Sequence, residues 1–145
     1  MASYYNKIKE NTDKLMNLIK ESFLPHGYGV RAEYVKSTAE NPIISPILTV
    51  GIYNISQNDS DCALYLGRLT NGTSLYGRTI TVTYRITVYC ATTFVNSVCC
   101  YAATNIAELC NANFNVTRIH SGETTYDSKC RSAVMPIDVT VKCTV

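Results

Sequence analysis

Four residues in the last third of the chain are of the types that nucleophilic catalysis would use: His120, Glu123, Asp127 and Cys130. A thiol nucleophile needs a base within hydrogen-bond reach and a third group to orient that base. His120 has two carboxylates close by in sequence, so a Cys-His-Asp arrangement with Cys130 can be drawn. No recognised signature surrounds Cys130, and the other histidine, His26, lies far away beside a turn. The short Cys/His spacings of a metal site are missing, so no metal is expected. Gly27-Tyr28-Gly29 follows a helix-like segment rather than a strand, which makes it a helix stop and not a phosphate cradle. No residue is expected to be catalytic, and no cofactor is implied.

The charges offer a different chemistry. Arg118, Asp127 and Arg131 flank a late hairpin, and Arg68 and Arg78 lie in a long irregular stretch, residues 56–78. Each reads either as an ordinary loop charge in water or as a contact to a neighbouring subunit. Charge is otherwise scarce. Asp, Glu, Lys and Arg make up 17% of the 145 residues, below the roughly 25% usual in soluble domains. Eleven tyrosines accompany that shortage. Oligomer interfaces are enriched in aromatics and depleted in Lys and Glu, so part of the surface could be shared between subunits. A small, neutral surface rich in Thr and Asn fits equally well.

Net charge is +2, with acids and bases interspersed. That gives no electrostatic footprint for nucleic acid. No apolar run approaches the roughly 18 residues that cross a bilayer. Six charges among the first twenty residues do not suit a secretory leader. The seven cysteines are odd in number and include no CxxC pair. They read as reduced core residues of a cytosolic compartment, and the four Asn-x-Ser/Thr sequons as coincidence. Oxidised cysteines and glycosylated sequons would instead mark a secreted binding domain.

The elements that must carry these residues are set by hydrophobic periodicity. Residues 4–24 form an amphipathic helix, with Tyr5, Ile8, Thr12, Leu15, Leu18, Ile19, Ser22 and Phe23 on one stripe. It packs on its own sheet or docks on a partner, and Pro25 and Gly27 stop it. Val30–Lys36 is a short strand and 37–46 a loop. Ile47–Ile55 is a strand in which Gly51 marks a bulge or a close approach. Cys62–Leu66 is at most a brief strand, and Asn71-Gly72 favours a tight reversal. Thr79–Cys90 alternates without fault: Ile80, Val82, Tyr84, Ile86, Val88 and Cys90 on one face, threonines, Arg85 and Tyr89 on the other. A second helix is capped by Thr92 or Thr93, buries Val95, Val98, Cys99, Ala102, Ile106, Leu109 and Cys110, and ends at Asn111 or Asn113. Glu108 is its only charge. Asn115–Ile119 is a strand and 120–131 a loop. Residues 136–145 alternate again, with Pro136 opening the strand. The expected fold is one α+β domain over residues 1–145, with a mostly antiparallel sheet of about four to five strands and both helices packed on it.

This order of elements, with the late run Phe114-Asn-Val-Thr-Arg-Ile, then Tyr126-Asp, Arg131 and Pro136-Ile-Asp-Val, resembles the small tail-terminator proteins of tailed phages and phage-tail-like contractile particles. The resemblance implies a structural virion protein, not an enzyme. It implies a homo-hexameric ring on the last ring of the tail tube, which stops tube growth, meets the sheath end in sheathed tails and joins the neck or the head-completion protein. DNA would pass through such a ring. The protein would assemble in the host cytoplasm and reside in the virion tail or neck. Candidate interface residues are then Arg68, Arg78, Arg118, Asp127 and Arg131. Another neck or tail-completion protein is the rival within the class, and a small cytosolic Cys/His enzyme the rival outside it.

Overall fold

The computed structural model describes residues 4–32, 45–57, 64–68, 74–77, 79–128 and 132–144, with the backbone alone for 64–68, 74–77 and 144. Helix α1 covers Tyr4–Phe23, and α2 covers Val95–Asn113. The strands are β1 (Gly29–Arg31), β2 (Ile47–Ser56), β3 (Leu64–Arg68), β4 (Ser74–Gly77), β5 (Thr79–Cys90), β6 (Val116–Ser121), β7 (Thr125–Asp127) and β8 (Ser132–Thr144). Six strands form one mixed sheet in the order β1-β2-β5-β8-β6, with β7 continuing the β6 edge against β8. Only the β1–β2 pairing is parallel. Strands β3 and β4 make a separate antiparallel hairpin. The fold is therefore α+β as expected, with more strands than the sequence suggested.

The two alternating segments become the central pair, β5 and β8, matched residue for residue from Thr79↔Thr144 to Cys90↔Ala133. Their common face carries Val82, Tyr84, Ile86 and Val88 opposite Val141, Val139, Ile137 and Met135, all buried. Leu48 and Val50 of β2 extend this face. Both helices cover it. Leu15, Ile19 and Phe23 descend from α1, and Val98, Cys99, Ala102, Ile106 and Cys110 from α2. At about 25 cal/mol per Å² of apolar area removed from water, each such aliphatic side chain contributes on the order of 1.5–3 kcal/mol before its entropy cost. The Tyr84 hydroxyl meets the Thr12 hydroxyl at 3.0 Å, so the largest buried side chain keeps its polar tip satisfied against α1. Phe23, Tyr28 and Tyr101 form an aromatic cluster that ties the end of α1 to α2. Gly27 stops the chain after α1 at φ 85°, donating its N–H to the Leu24 carbonyl. A β-carbon is disfavoured there.

Several local expectations are corrected. Tyr5, assigned to the buried stripe of α1, is 71% exposed, because the stripe reaches the sheet only from Ile8 onward. Strand β1 ends at Arg31, and residues 33–36 of its expected extent lie outside the described residues. The bulge in β2 falls at Tyr53, between Ile52 and Asn54, not at Gly51. Thr92 and Thr93 do not cap α2; they form a 3-10 turn ahead of it. Helix α2 ends without a left-handed residue. Asn113 is its last residue, its side chain donating to the Leu109 carbonyl, and Phe114 leaves in extended conformation. The segment expected as a loop at 120–131 contains the end of β6 and all of β7. The stretch 56–78 holds β3 and β4.

Pro136 does not open the last strand but sits inside it, four residues after Ser132. The ladder explains how. The N–H and carbonyl of one strand residue point toward the same neighbour. The Pro136 carbonyl accepts the Gly122 N–H at 2.7 Å, on the β6–β7 side. The missing proline N–H therefore faces the gap between β6 and β7, where no ladder bond is lost. A β-carbon on Gly122 would lie 2.8 Å from Pro136 Cγ, so glycine is what allows this approach.

Candidate functional site

The face of the sheet opposite the helices is uncovered among the described residues. Its floor is the second set of the alternation: Thr83, Arg85 and Thr87 of β5 beside Thr140, Asp138 and Pro136 of β8. Strand β2 supplies Gly51 and Tyr53 on one side, and β6 supplies Arg118 and His120 on the other.

Three side chains build a ridge across the middle. Arg85 and Asp138 are register partners and form a two-pronged ion pair, Nε to Oδ1 at 2.8 Å and Nη2 to Oδ2 at 3.0 Å. Such a fork fixes the guanidinium plane. The Tyr53 ring stacks on that plane, with Arg85 Cζ 3.6 Å from the ring centroid. The Asp138 hydrogen bonds push the Arg85 guanidinium further above its already high value. The β2 bulge is what aims Tyr53. The extra residue breaks the two-residue period and raises the local twist. Gly51, opposite Arg85, carries no side chain to fill the adjoining space.

A trough lies on each side of the ridge. The larger, about 550 Å³, is lined by Ile52, Thr87, Thr125, Val134 and Pro136 together with Gly51. The smaller, about 190 Å³, is polar, with Asn54, Thr83, Arg118, His120 and Thr140 around Asp138. Thr83 and Thr140 join hydroxyls at 3.2 Å across its floor. Residues 51–56 of β2 are all exposed; of their large apolar side chains Tyr53 lies on this face, whereas Ile52 and Ile55, in register with Tyr84 and Val82, belong to the helix side. Tyr53 is 58% exposed despite its stacking. An exposed aromatic ring beside fixed charges is the composition of a protein-binding surface.

The sequence-derived candidates fare unevenly. Arg118 is exposed on this face, directly opposite Thr140. Asp127 ends β7, half-buried and in register with Ser132. Arg68 is the last residue of β3, of which only the backbone is described. Arg78 and Arg131 lie outside the described residues. Cys130 does too, so the His120–Cys130 pairing has no described geometry. His120 is instead the register partner of Asp138. Among the described residues, no group of three His, Cys, Asp or Glu could hold a metal. None of the described helices is long and apolar enough to cross a membrane.

The described buried thiols are poor nucleophiles. Cys90, Cys99, Cys110 and Cys143 are buried, and only Cys100 is exposed. Burial pushes the Cys90 thiol up to about 11 and the Cys110 thiol up to about 12. A thiol in that range carries almost no thiolate at neutral pH.

Sequence reasoning missed the ridge. The signal was present: Arg85 is the single charge in a row of threonines, and Asp138 holds the matching place in the other alternating strand. Two opposite charges on the outer faces of adjacent strands are a cross-strand pair once the register is known. No family model matches this chain, and no curated protein matches it significantly.

Proposed function

We propose that this chain is a structural protein of a tailed-phage particle or a phage-tail-like device: a tail terminator whose ring caps the tail tube. The observation that carries the reading is the sheet face left open among the described residues, with its exposed Tyr53 stacked on a fixed ion pair. A face so built suits contact with another protein surface more than chemistry on a small molecule. The opposite side of the molecule supports it. Helix α2 turns Asn96, Ser97, Cys100, Thr104 and Asn111 outward, with Glu108 as its one charge. Two different patches on opposite sides give a head-to-tail contact, which closes into a ring when the rotation allows. The homo-hexamer implied by the family resemblance is one such closure. Its partners are the tube protein, the sheath protein where a sheath exists, and the neck or head-completion protein. The role needs no cofactor. It places the protein in the host cytoplasm during assembly and in the virion tail or neck afterwards.

Electron microscopy of the purified protein and of tails made with and without it tests the reading. Rings of sixfold symmetry at the tube end, and overlong tubes when the protein is withheld, are expected. A strict monomer that leaves tube length unchanged would refute it.

A further inference from the structure

We infer that the uncovered sheet face receives an extended acidic segment of a partner protein, with an apolar side chain in the larger trough and a carboxylate in the smaller one. The inference rests on the reading of this face as an assembly surface, and it adds the chemistry of what lands there.

The charge balance decides the sign. Among the described residues, Asp138 is the one carboxylate lining the two troughs, and the two-pronged bond to Arg85 already neutralises it. Arg118 lines the smaller trough and is exposed, with no described residue pairing its guanidinium. His120, Asn54 and Thr83 add N–H and O–H groups that can donate toward the same space. A guanidinium left unpaired by the described residues and flanked by donors is complementary to a carboxylate and repels a cation.

The larger trough sets the rest of the ligand. Val134 and Pro136 offer apolar contact, and the Thr87 and Thr125 hydroxyls offer hydrogen bonds to a main chain. The Tyr53–Arg85–Asp138 ridge separates the two troughs. One occupant must straddle that ridge to use both. An extended chain does so with side chains two positions apart on one side, spaced by about 6.5–7 Å. A helix laid across it would touch the ridge and leave both troughs empty.

The test pans the purified full-length protein against a random linear decapeptide library at low salt. Selected peptides should carry Asp or Glu two or three positions from a large apolar residue. Arg118→Glu should weaken the selected peptides on the order of tenfold, whereas Lys9→Glu, on the outer side of α1, should leave them unchanged. Circular dichroism of both variants checks that each is folded. Recovery of no peptides, of peptides without an acidic residue, or of peptides indifferent to Arg118→Glu overturns the inference. Self-association that Arg118→Glu abolishes, seen by sedimentation with no peptide recovered, makes the occupant a second copy and also overturns it. The two readings fail separately. Normally capped tails with no acidic peptides refute this inference alone. Acidic peptides together with unchanged tail length refute the terminator reading alone.

Discussion

The ridge is built by a residue pair of modest strength and strict geometry. The Arg85 and Asp138 side chains are 37% and 22% exposed, so solvent screens much of their attraction. Replacing Arg85 with Met should cost about 1 kcal/mol or less in urea unfolding. A double-mutant cycle with Asp138→Asn should give a coupling that shrinks as salt is added. A coupling of several kcal/mol would mean that the pair is more desolvated than its exposure indicates. The same alternation that puts Arg85 outside puts Val82 inside, fully buried. Val82→Asp should therefore lose several kcal/mol, because an unpaired carboxylate would be forced into the core. Thr83→Ala, one residue on, should lose under about 1 kcal/mol with its single hydroxyl bond. Equal thermal shifts for the two would contradict the face assignment. The buried thiols make a pH prediction. Cys110 titrates near 9.0 when unfolded and about 12 when folded. The folded state thus holds its proton more tightly. Its contribution is intact below pH 9 and is lost as pH rises toward 12. Each such thiol can impose a slope approaching 1.4 kcal/mol per pH unit in that window. Urea unfolding at pH 8 through 10.5 should show a decline that Cys110→Ala reduces.

Among the elements, the junction of β6, β7 and β8 leaves little room for change at one point. Gly122→Ala brings a β-carbon to 2.8 Å from Pro136 Cγ, and a proline ring yields little. A loss of about 1–3 kcal/mol is expected. Pro136→Ala in the same chain should recover part of it, and a simple sum of the two effects would show that the contact is not the cause. This junction also shows where the sequence stops being legible. Strands β5 and β8 could be read because their side chains alternate over ten residues or more against one core. Helix α2 could be read because Val98, Ala102, Ile106 and Cys110 recur at helical spacing over a covered sheet. Strand β7 could not. Its three residues, Thr125–Asp127, owe their conformation to pairing with β8, a contact distant in sequence. Pro136 was assigned to a strand start because its tolerance depends on the neighbouring gap, which is a tertiary fact. The ridge failed for the same reason. Arg85, Asp138 and Tyr53 were each visible, but register and bulge bring them together.

At the scale of the whole molecule, the protein has a dry side and a wet side. Both helices and the core lie on one, and the ridge and its troughs on the other. Assembly should depend on the second and on the charged segments, while folding depends on the first. Arg68→Ala with Arg78→Ala, and separately Asp127→Ala with Arg131→Ala, should leave the melting temperature within a few degrees of wild type. Tails made with them should be overlong or unsheathed in electron micrographs. Normal tails from both pairs would remove these residues from the interface and leave the open sheet face and the outward sides of the helices as candidates. The gap opposite Pro136 has a further consequence for how copies can meet. A long, regular edge is a template on which a strand from another molecule can add without limit. The β6–β7 edge offers two short runs, six residues and three, separated by a kink that a proline backs from behind. A foreign strand would lose its register at the kink. That edge is thus a poor seed for fibrils, and copies meeting there must recognise one another by side chains, which permits release and error correction while a ring is closing.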